Sequence, residues 1–263
     1  MREGPGITAP AHVPTPDEAF FRYGPAGLDH LLGDGAAASV SGGVDPVQTG
    51  SIRAAAFGSM AIPMRNFPAL RRWTPLMDRI DGCASGSACA SEPDWFRALG
   101  AATSRMRFKH KLDLVNREVN RNIRYVSDRE SYGDLDHWAS PDEILARSEG
   151  DCEDFAILKM AALIRAGVPA GSMSLVVLRD QKFEVYHAVL TVKTSQGIFV
   201  LDNLRDRVLP DTALTSYQPL FSLSKDRAWI HGVKAGAESV ASSNVDPLAI
   251  APGEGYARSR QAR

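Results

Sequence analysis

The spacing of apolar residues along the chain changes near residue 169. Before that point they recur every three or four residues, which is typical of amphipathic helices. One such stripe runs from Phe67 to Ile80, and a second runs from Met106 to Ile123, predicting a helix over 103–124. After Pro169 the pattern alternates, which indicates strands, and the short turns between them predict an antiparallel meander. The predicted strands cover 173–180, 183–193, 197–203 and 227–232.

Two helices are predicted between these regions. "SPDEILARS" places Pro141 at a first helical position after Ser140, with Glu143 closing a capping box, and this helix stops near Gly150. "DCEDFAILKMAALIRAG" then forms a helix that ends at Gly167. Because this second helix is apolar nearly all round, we expect it to be buried at the centre of the fold.

The ends of the chain differ in composition from its middle. Residues 1–50 are rich in Gly, Pro, Ala and Ser, without sustained periodicity, and are predicted to be a disordered or linker extension. Residues 51–233 form the predicted domain, and 234–263 a disordered tail. The N-terminus has no apolar signal core, so export is not visible in the sequence.

Composition excludes some classes of protein. The 263 residues carry a net charge of −1 and no charged tail, so we expect no nucleic-acid partner. No window approaches the ~18 apolar residues of a membrane span. Of the three cysteines, Cys83 and Cys89 lie in a small-residue loop. A disulfide between them would indicate an oxidising compartment, and the alternative is two unpaired thiols.

The third cysteine, Cys152, lies in "EGDCEDFA", among four carboxylates. Nearby negative charge opposes formation of the thiolate that a reactive cysteine needs. Its position in the first turn of the predicted buried helix acts in the other direction, because the helix dipole there favours an anion. Cys152 is therefore either a small buried residue or a nucleophile whose surroundings offset the acidic charge.

His187 and Asp202 each interrupt an apolar strand, and each is costly to bury alone. A short loop near 194–196 puts them on one face of a hairpin, as direct or diagonal neighbours. A carboxylate beside an imidazole fixes its tautomer and stabilises its charged form. Together with a cysteine on a helix packed against the sheet, the pair would supply a base and an orienting acid for a nucleophile.

The segments "DHWASPDEILARSEGDCEDFAILKMAALIRAGVP", "HAVLTV" and "FVLDN" resemble the bacterial transglutaminase-like cysteine peptidases. The resemblance implies an α+β fold with a papain-like core, in which the nucleophile helix packs on an antiparallel sheet. It also implies that Cys152 is the nucleophile, His187 the general base and Asp202 the orienting acid. In the adhesin-cleaving relatives, calcium binds to acidic residues beside the cysteine, here Asp151 and Glu153. Asp136, Asp154 or backbone carbonyls would complete the shell.

The hypothesis that follows is a calcium-dependent cysteine endopeptidase of the periplasm. Its expected substrate is a periplasmic or surface protein, for which a large adhesin is the example given by the family. The family also suggests an inner-membrane regulatory protein as a partner. Two alternatives stay open at this point: a transglutaminase-like acyltransferase that uses the same residues, and a non-catalytic, calcium-dependent binding module.

Overall fold

A computed structural model describes residues 53–87, 89, 92–232 and 250–252. The predicted extension 1–50 lies outside these residues, as does most of the tail 234–263. Within that tail, Ile250 is described and is buried against the main apolar core. The domain limits drawn from the sequence remain a prediction.

The helices largely follow the apolar periodicity. The stripe predicted over 103–124 belongs to a helix that begins only at Phe108, and Met106 lies before it and is exposed. Ser140 is the N-cap residue of the helix that begins at Pro141, as predicted, but its side chain makes no capping bond. Glu143 contacts His137 instead of closing a capping box. The helices are α1 Leu70–Ala84, α2 Asp94–Thr103, α3 Phe108–Asn122, α4 Asp128–Ser131, α5 Pro141–Arg147 and α6 Cys152–Arg165.

The strands form one eight-stranded antiparallel sheet and one small parallel pair. The sheet order is β1-β2-β10-β9-β5-β6-β7-β8, and β3 pairs with β4. The sequence patterns predict β5, β6, β7 and β10, whereas β2, β8 and β9 were not predicted. The strands are β1 Arg53–Ala54, β2 Met60–Met64, β3 Arg124–Tyr125, β4 Glu149–Gly150, β5 Met173–Asp180, β6 Val185–Thr194, β7 Gly197–Asp202, β8 Arg205–Pro210, β9 Tyr217–Ser224 and β10 Arg227–Gly232.

Helix α6 lies at the centre of the molecule, as its apolar sequence predicts. Every residue from Cys152 to Leu163 is buried, and the helix packs against α1, α3 and the β6 face of the sheet. Side chains such as Leu175, Ala188 and Leu201 face this helical layer. The opposite face of the sheet carries a separate cluster, which includes Val189 and Tyr217. The predicted α+β class, with the Cys152 helix on an antiparallel sheet, is confirmed.

The small-residue loop after α1 is closed by a disulfide between Cys83 and Cys89, whose Cα atoms lie 4.7 Å apart. Arg165, the last residue of α6, donates hydrogen bonds to the Cys83 carbonyl (2.9 Å) and to Glu92 (2.6 Å). The disulfide loop therefore anchors the C-terminal end of the central helix.

Candidate active site

The start of α6 is tightly packed against the chain that enters it. Asp151 is its N-cap residue, and the Asp151 amide donates to Asp154 Oδ2 at 3.3 Å. Gly150 permits this approach, because a Cβ added at that position would lie 2.6 Å from the Asp154 side chain. The local sequence Gly-Asp-Cys thus places Cys152 at the first helical position, where backbone amides and the helix dipole favour negative charge.

Cys152 contacts both the acidic segment and the sheet. The Ala188 amide donates to Cys152 Sγ at 3.2 Å, and the thiol donates to Glu153 Oε2 at 3.2 Å. Burial and the charge of Asp151 raise the pKa of the Cys152 thiol well above its usual value, whereas the bonds with Glu153 and Ala188 act to lower it. In these surroundings the thiol is held protonated unless positive charge is added nearby.

His187 and Asp202 lie together, as the register of the predicted hairpin indicates. The turn pairs Thr194 with Gly197, so that His187 and Asp202 become diagonal neighbours on β6 and β7. His187 Nε2 lies 3.0 Å from Asp202 Oδ1, and both side chains are buried. Because Ala188 follows His187 directly, the bond from its amide to Cys152 Sγ places the thiol beside the same stretch of β6.

Asp202 is held as a carboxylate by several donors. Burial alone would raise its pKa, but the charge and hydrogen bond of His187, together with bonds from the Leu204 amide and the Tyr217 hydroxyl, hold that pKa well below its ordinary value. Arg205 also donates to Asp202. The sequence interpretation did not include Tyr217 or Arg205, because β8 and β9 were not predicted.

Two asparagines of α3 hold the turn that carries Asp202. Asn120 Nδ2 donates to the carbonyls of Asp202 and Arg205, each at 3.0 Å. Asn116 Nδ2 donates to the carbonyls of Arg205 (2.7 Å) and Asp206 (2.9 Å). Their four-residue spacing on one side of α3 was the signal in the sequence, but their partners lie more than 80 residues further along the chain.

The acidic residues around Cys152 form a cluster whose oxygens converge. Asp151 and Glu153 were predicted as metal ligands, and the structure brings them together with Asp128, Asp136 and Asp154. Single oxygens from Asp128, Asp151 and Asp154 lie within 4.8 Å of one another, and so do those from Asp128, Asp136 and Glu153. Asp128 was not among the predicted ligands, although it lies in the "YVSD" segment.

Asp154 accepts hydrogen bonds from the Ala139 and Asp151 amides, but other oxygens of this cluster lack such donors. Neither carboxylate oxygen of Asp151 accepts a hydrogen bond of ordinary geometry from the described residues, and the same holds for Glu153 Oε1. Burial raises the pKa of Asp151, Glu153 and Asp154 well above the usual value of a carboxyl group, and repulsion from neighbouring carboxylates raises it further. Converging buried oxygens without donors fit a hard cation such as calcium, which prefers oxygen ligands.

Comparison with protein families identifies the class. The family model of the bacterial transglutaminase-like cysteine proteinase BTLCP matches residues 84–232, which include every residue of the site described above. The chain belongs to this family. It is therefore a cysteine peptidase of the transglutaminase-like type, and the class of its substrate is protein.

The solved structures that are similar to the chain include two of Legionella pneumophila LapG. Legionella pneumophila LapG is 25% identical, with a TM-score of 0.48, and the match covers 58% of this chain and 86% of that chain. Calcium-bound Legionella pneumophila LapG is 23% identical, with a TM-score of 0.48, over 71% of this chain and 98% of that chain. No curated protein matches the chain. Among the described residues, no helix has the length and apolar character needed to cross a membrane.

Proposed function

We propose that this peptidase is an endopeptidase that hydrolyses a peptide bond through Cys152, His187 and Asp202. The observation that carries the proposal is the buried hydrogen bond of 3.0 Å between His187 Nε2 and Asp202 Oδ1. The next residue of the same strand, Ala188, donates its amide to Cys152 Sγ. A nucleophile, a base and an orienting acid in this order are the requirements of thiol-dependent acyl transfer.

In the proposed reaction, the thiol proton of Cys152 passes to His187, and Sγ attacks the scissile carbonyl. Asp202 binds Nε2, so Nδ1 is the ring nitrogen that takes the proton. Backbone amides at the start of α6 stabilise the oxyanion, and the Cys152 amide is the first candidate donor. The imidazolium then protonates the leaving amine. Finally a water molecule, deprotonated by His187, hydrolyses the acyl-enzyme and releases the thiol.

Asp151 and Glu153 would hold a calcium ion in this proposal. Asp128, Asp136 and Asp154 are the further candidates for the shell, since their oxygens converge on the same cluster. The fit rests on Glu153 Oε1 and the two Asp151 carboxylate oxygens, which are buried and accept no hydrogen bond of ordinary geometry from the described residues. Calcium bound there would supply positive charge next to Cys152 and turn carboxylates that oppose the thiolate into metal ligands.

The proposed setting is the periplasm, and the proposed substrate is a periplasmic or surface protein such as a large adhesin. The disulfide between Cys83 and Cys89 supports an oxidising compartment. The adhesin, and an inner-membrane regulatory protein as partner, come from the family resemblance.

The test is a cleavage assay with purified protein and candidate adhesin linker segments, with calcium or with EGTA. We expect cleavage by the wild type in calcium, loss in EGTA and recovery when calcium is restored. Cys152→Ala and Cys152→Ser should be inactive although folded. An amine added to the assay separates hydrolysis from acyl transfer by the mass of the product. Cleavage by Cys152→Ala at the wild-type rate would falsify the proposed nucleophile.

A further inference from the structure

The two oxygens of the Asp202 carboxylate have different partners. Oδ1 binds His187 Nε2 and accepts a hydrogen bond from the Leu204 amide at 2.9 Å. Oδ2 accepts one from the Tyr217 hydroxyl at 2.7 Å and one from Arg205 at 2.5 Å. A carboxylate with both oxygens engaged cannot rotate without breaking charge-assisted hydrogen bonds, which are stronger than neutral ones.

Tyr217 contacts both members of the His–Asp pair. Its ring lies edge-on to the His187 imidazole, with the ring centroids 5.8 Å apart and an interplanar angle of 74°. Arg205 also donates to the Tyr217 hydroxyl, at 2.6 Å. Because a guanidinium has only donors, the phenol must accept from Arg205 and give its own proton to Asp202. Burial and the charge of Asp202 raise the pKa of Tyr217, so the phenol remains a donor.

Tyr217 is held in place by Phe57, which packs against it on the face of the sheet opposite to α6. The Phe57 ring packs against it, with ring centroids 5.8 Å apart. Phe57 has a φ of 58°, in the left-handed region, and its amide donates to Asp211 Oδ2 at 2.8 Å. Tyr217 is only 4% exposed, so its ring has little freedom to move away from Asp202.

We propose that Tyr217 and Arg205 are positioning residues of the peptidase, which fix Asp202 so that its Oδ1 oxygen faces His187. This inference rests on the proposed function of the three residues and adds two residues that act through Asp202. The pair has a second effect, because its hydrogen bonds and charge draw electron density from the carboxylate. Without them, Asp202 stabilises the His187 imidazolium more strongly and orients it less well.

The test uses Tyr217→Phe, which keeps the ring and removes only the hydroxyl, and Arg205→Met, which removes the charge from a partly exposed position. Both are compared with Tyr186→Phe, a matched change next to His187 on β6. The kinetic probe is a fluorogenic peptide that the wild type cleaves. The second readout is the NMR titration of the His187 ring, which needs no substrate.

For Tyr217→Phe we expect kcat about tenfold lower with little change in KM, as for loss of a group that orients a catalytic residue. The alkaline limb of the kcat/KM profile and the His187 titration midpoint should both move to higher pH. Arg205→Met should move them in the same direction, and Tyr186→Phe should move neither. If Tyr217→Phe does not fold, Arg205→Met decides the question.

If the His187 titration midpoint does not move in Tyr217→Phe or in Arg205→Met, the proposal is wrong. This holds also when activity falls together with the melting temperature, since that result indicates a purely structural role. Failure of the proposed function is recognised separately, by an active Cys152→Ala protein. In that event the NMR titration still decides whether Tyr217 and Arg205 act on the His–Asp pair.

Discussion

Lys159 is the one residue of the otherwise apolar stretch of α6 that carries a charge. It is 1% exposed, and among the described residues its Nζ atom has no hydrogen-bond partner. The nearest aromatic contact is the Phe155 ring, whose centroid lies 5.7 Å from Nζ. Burial lowers the pKa of Lys159 to about 7, against the opposing effect of the Asp202 and Asp206 charges. A buried ammonium group whose N–H donors find no acceptor destabilises the folded state.

We predict that Lys159→Met makes the protein more stable, by about 1–4 kcal/mol at neutral pH, since a buried ion is replaced by an apolar side chain of similar volume. Between pH 7 and the ordinary lysine value of about 10.4, the unfolded chain binds more protons than the folded protein. Wild-type stability therefore rises across that window, and the advantage of the variant shrinks as pH increases.

Urea unfolding at pH 6, 8 and 10 measures this difference. Lys193→Met, a change at an exposed lysine of β6, is the control and should give a small difference at every pH. A Lys159→Met protein that is less stable than the wild type at pH 6 would show that the ammonium has a partner that stabilises the fold.

At the scale of elements, α3 and the turn between β7 and β8 act as one unit. The turn carries Asp202, and its carbonyls point to Asn116 and Asn120 on α3. The opposite end of α6 is fixed by the bonds from Arg165 to the disulfide loop. The disulfide loop therefore holds the helix that carries Cys152, whereas α3 holds the turn that carries Asp202. The distance between Cys152 and Asp202 depends on the packing of α3 against α6.

We predict that Asn120→Ala lowers kcat/KM about fivefold, the effect of ~1 kcal/mol, because the Asp202 carbonyl loses its Asn120 donor and the Asp202 turn loosens. The Arg205 carbonyl loses one of its two donors and keeps the bond from Asn116. Asn122→Ala is the matched control on the same helix, since among the described residues its amide donates within α3, to the Glu118 carbonyl at 2.8 Å. Steady-state kinetics with the fluorogenic peptide measure both. Equal losses in the two variants would mean that helix α3, and not the turn, is what was disturbed.

The elements that the sequence predicted are those with unbroken patterns. Helix α6 and strands β5, β6 and β7 follow from period alone, and the short hairpin fixes the pairing of His187 with Asp202. Strands β8 and β9 each contain a proline, Pro210 and Pro219, which obscures the alternation. The residues that depend on those strands, Arg205 and Tyr217, were therefore missed with them.

At the scale of the whole molecule, contacts between distant segments decide the rest of the site. Asp128 lies in the acidic cluster with Asp151 and Glu153 although it is distant from them in the sequence. Nothing local in its sequence specifies that contact. Residues 53–64 add strands β1 and β2 to the far edge of the sheet, where β2 pairs with β10 and β1 pairs with β2. Such pairings are set by tertiary packing, which a pattern along one chain does not encode.

We predict that calcium raises the melting temperature of the whole protein in a concentration-dependent way, because a ligand that binds only the folded state stabilises it by mass action. The double variant Asp151→Asn with Glu153→Gln should lose this response. Asp134→Asn, at an exposed acid in the loop before α5, should keep it. Differential scanning calorimetry with calcium and with EGTA measures the effect, and a response that survives in the double variant would place the ion elsewhere.

If Cys152 is an activated nucleophile, its rate of alkylation by iodoacetamide will show this as a function of pH. Cys83 and Cys89 are joined, so Cys152 supplies the free thiol. With calcium present, we expect the alkylation rate to reach half its maximum well below pH ~8.5, the pKa of free cysteine. EGTA or His187→Ala should move that midpoint upward. A wild-type midpoint at or above ~8.5 that neither change moves would show that Cys152 is not activated.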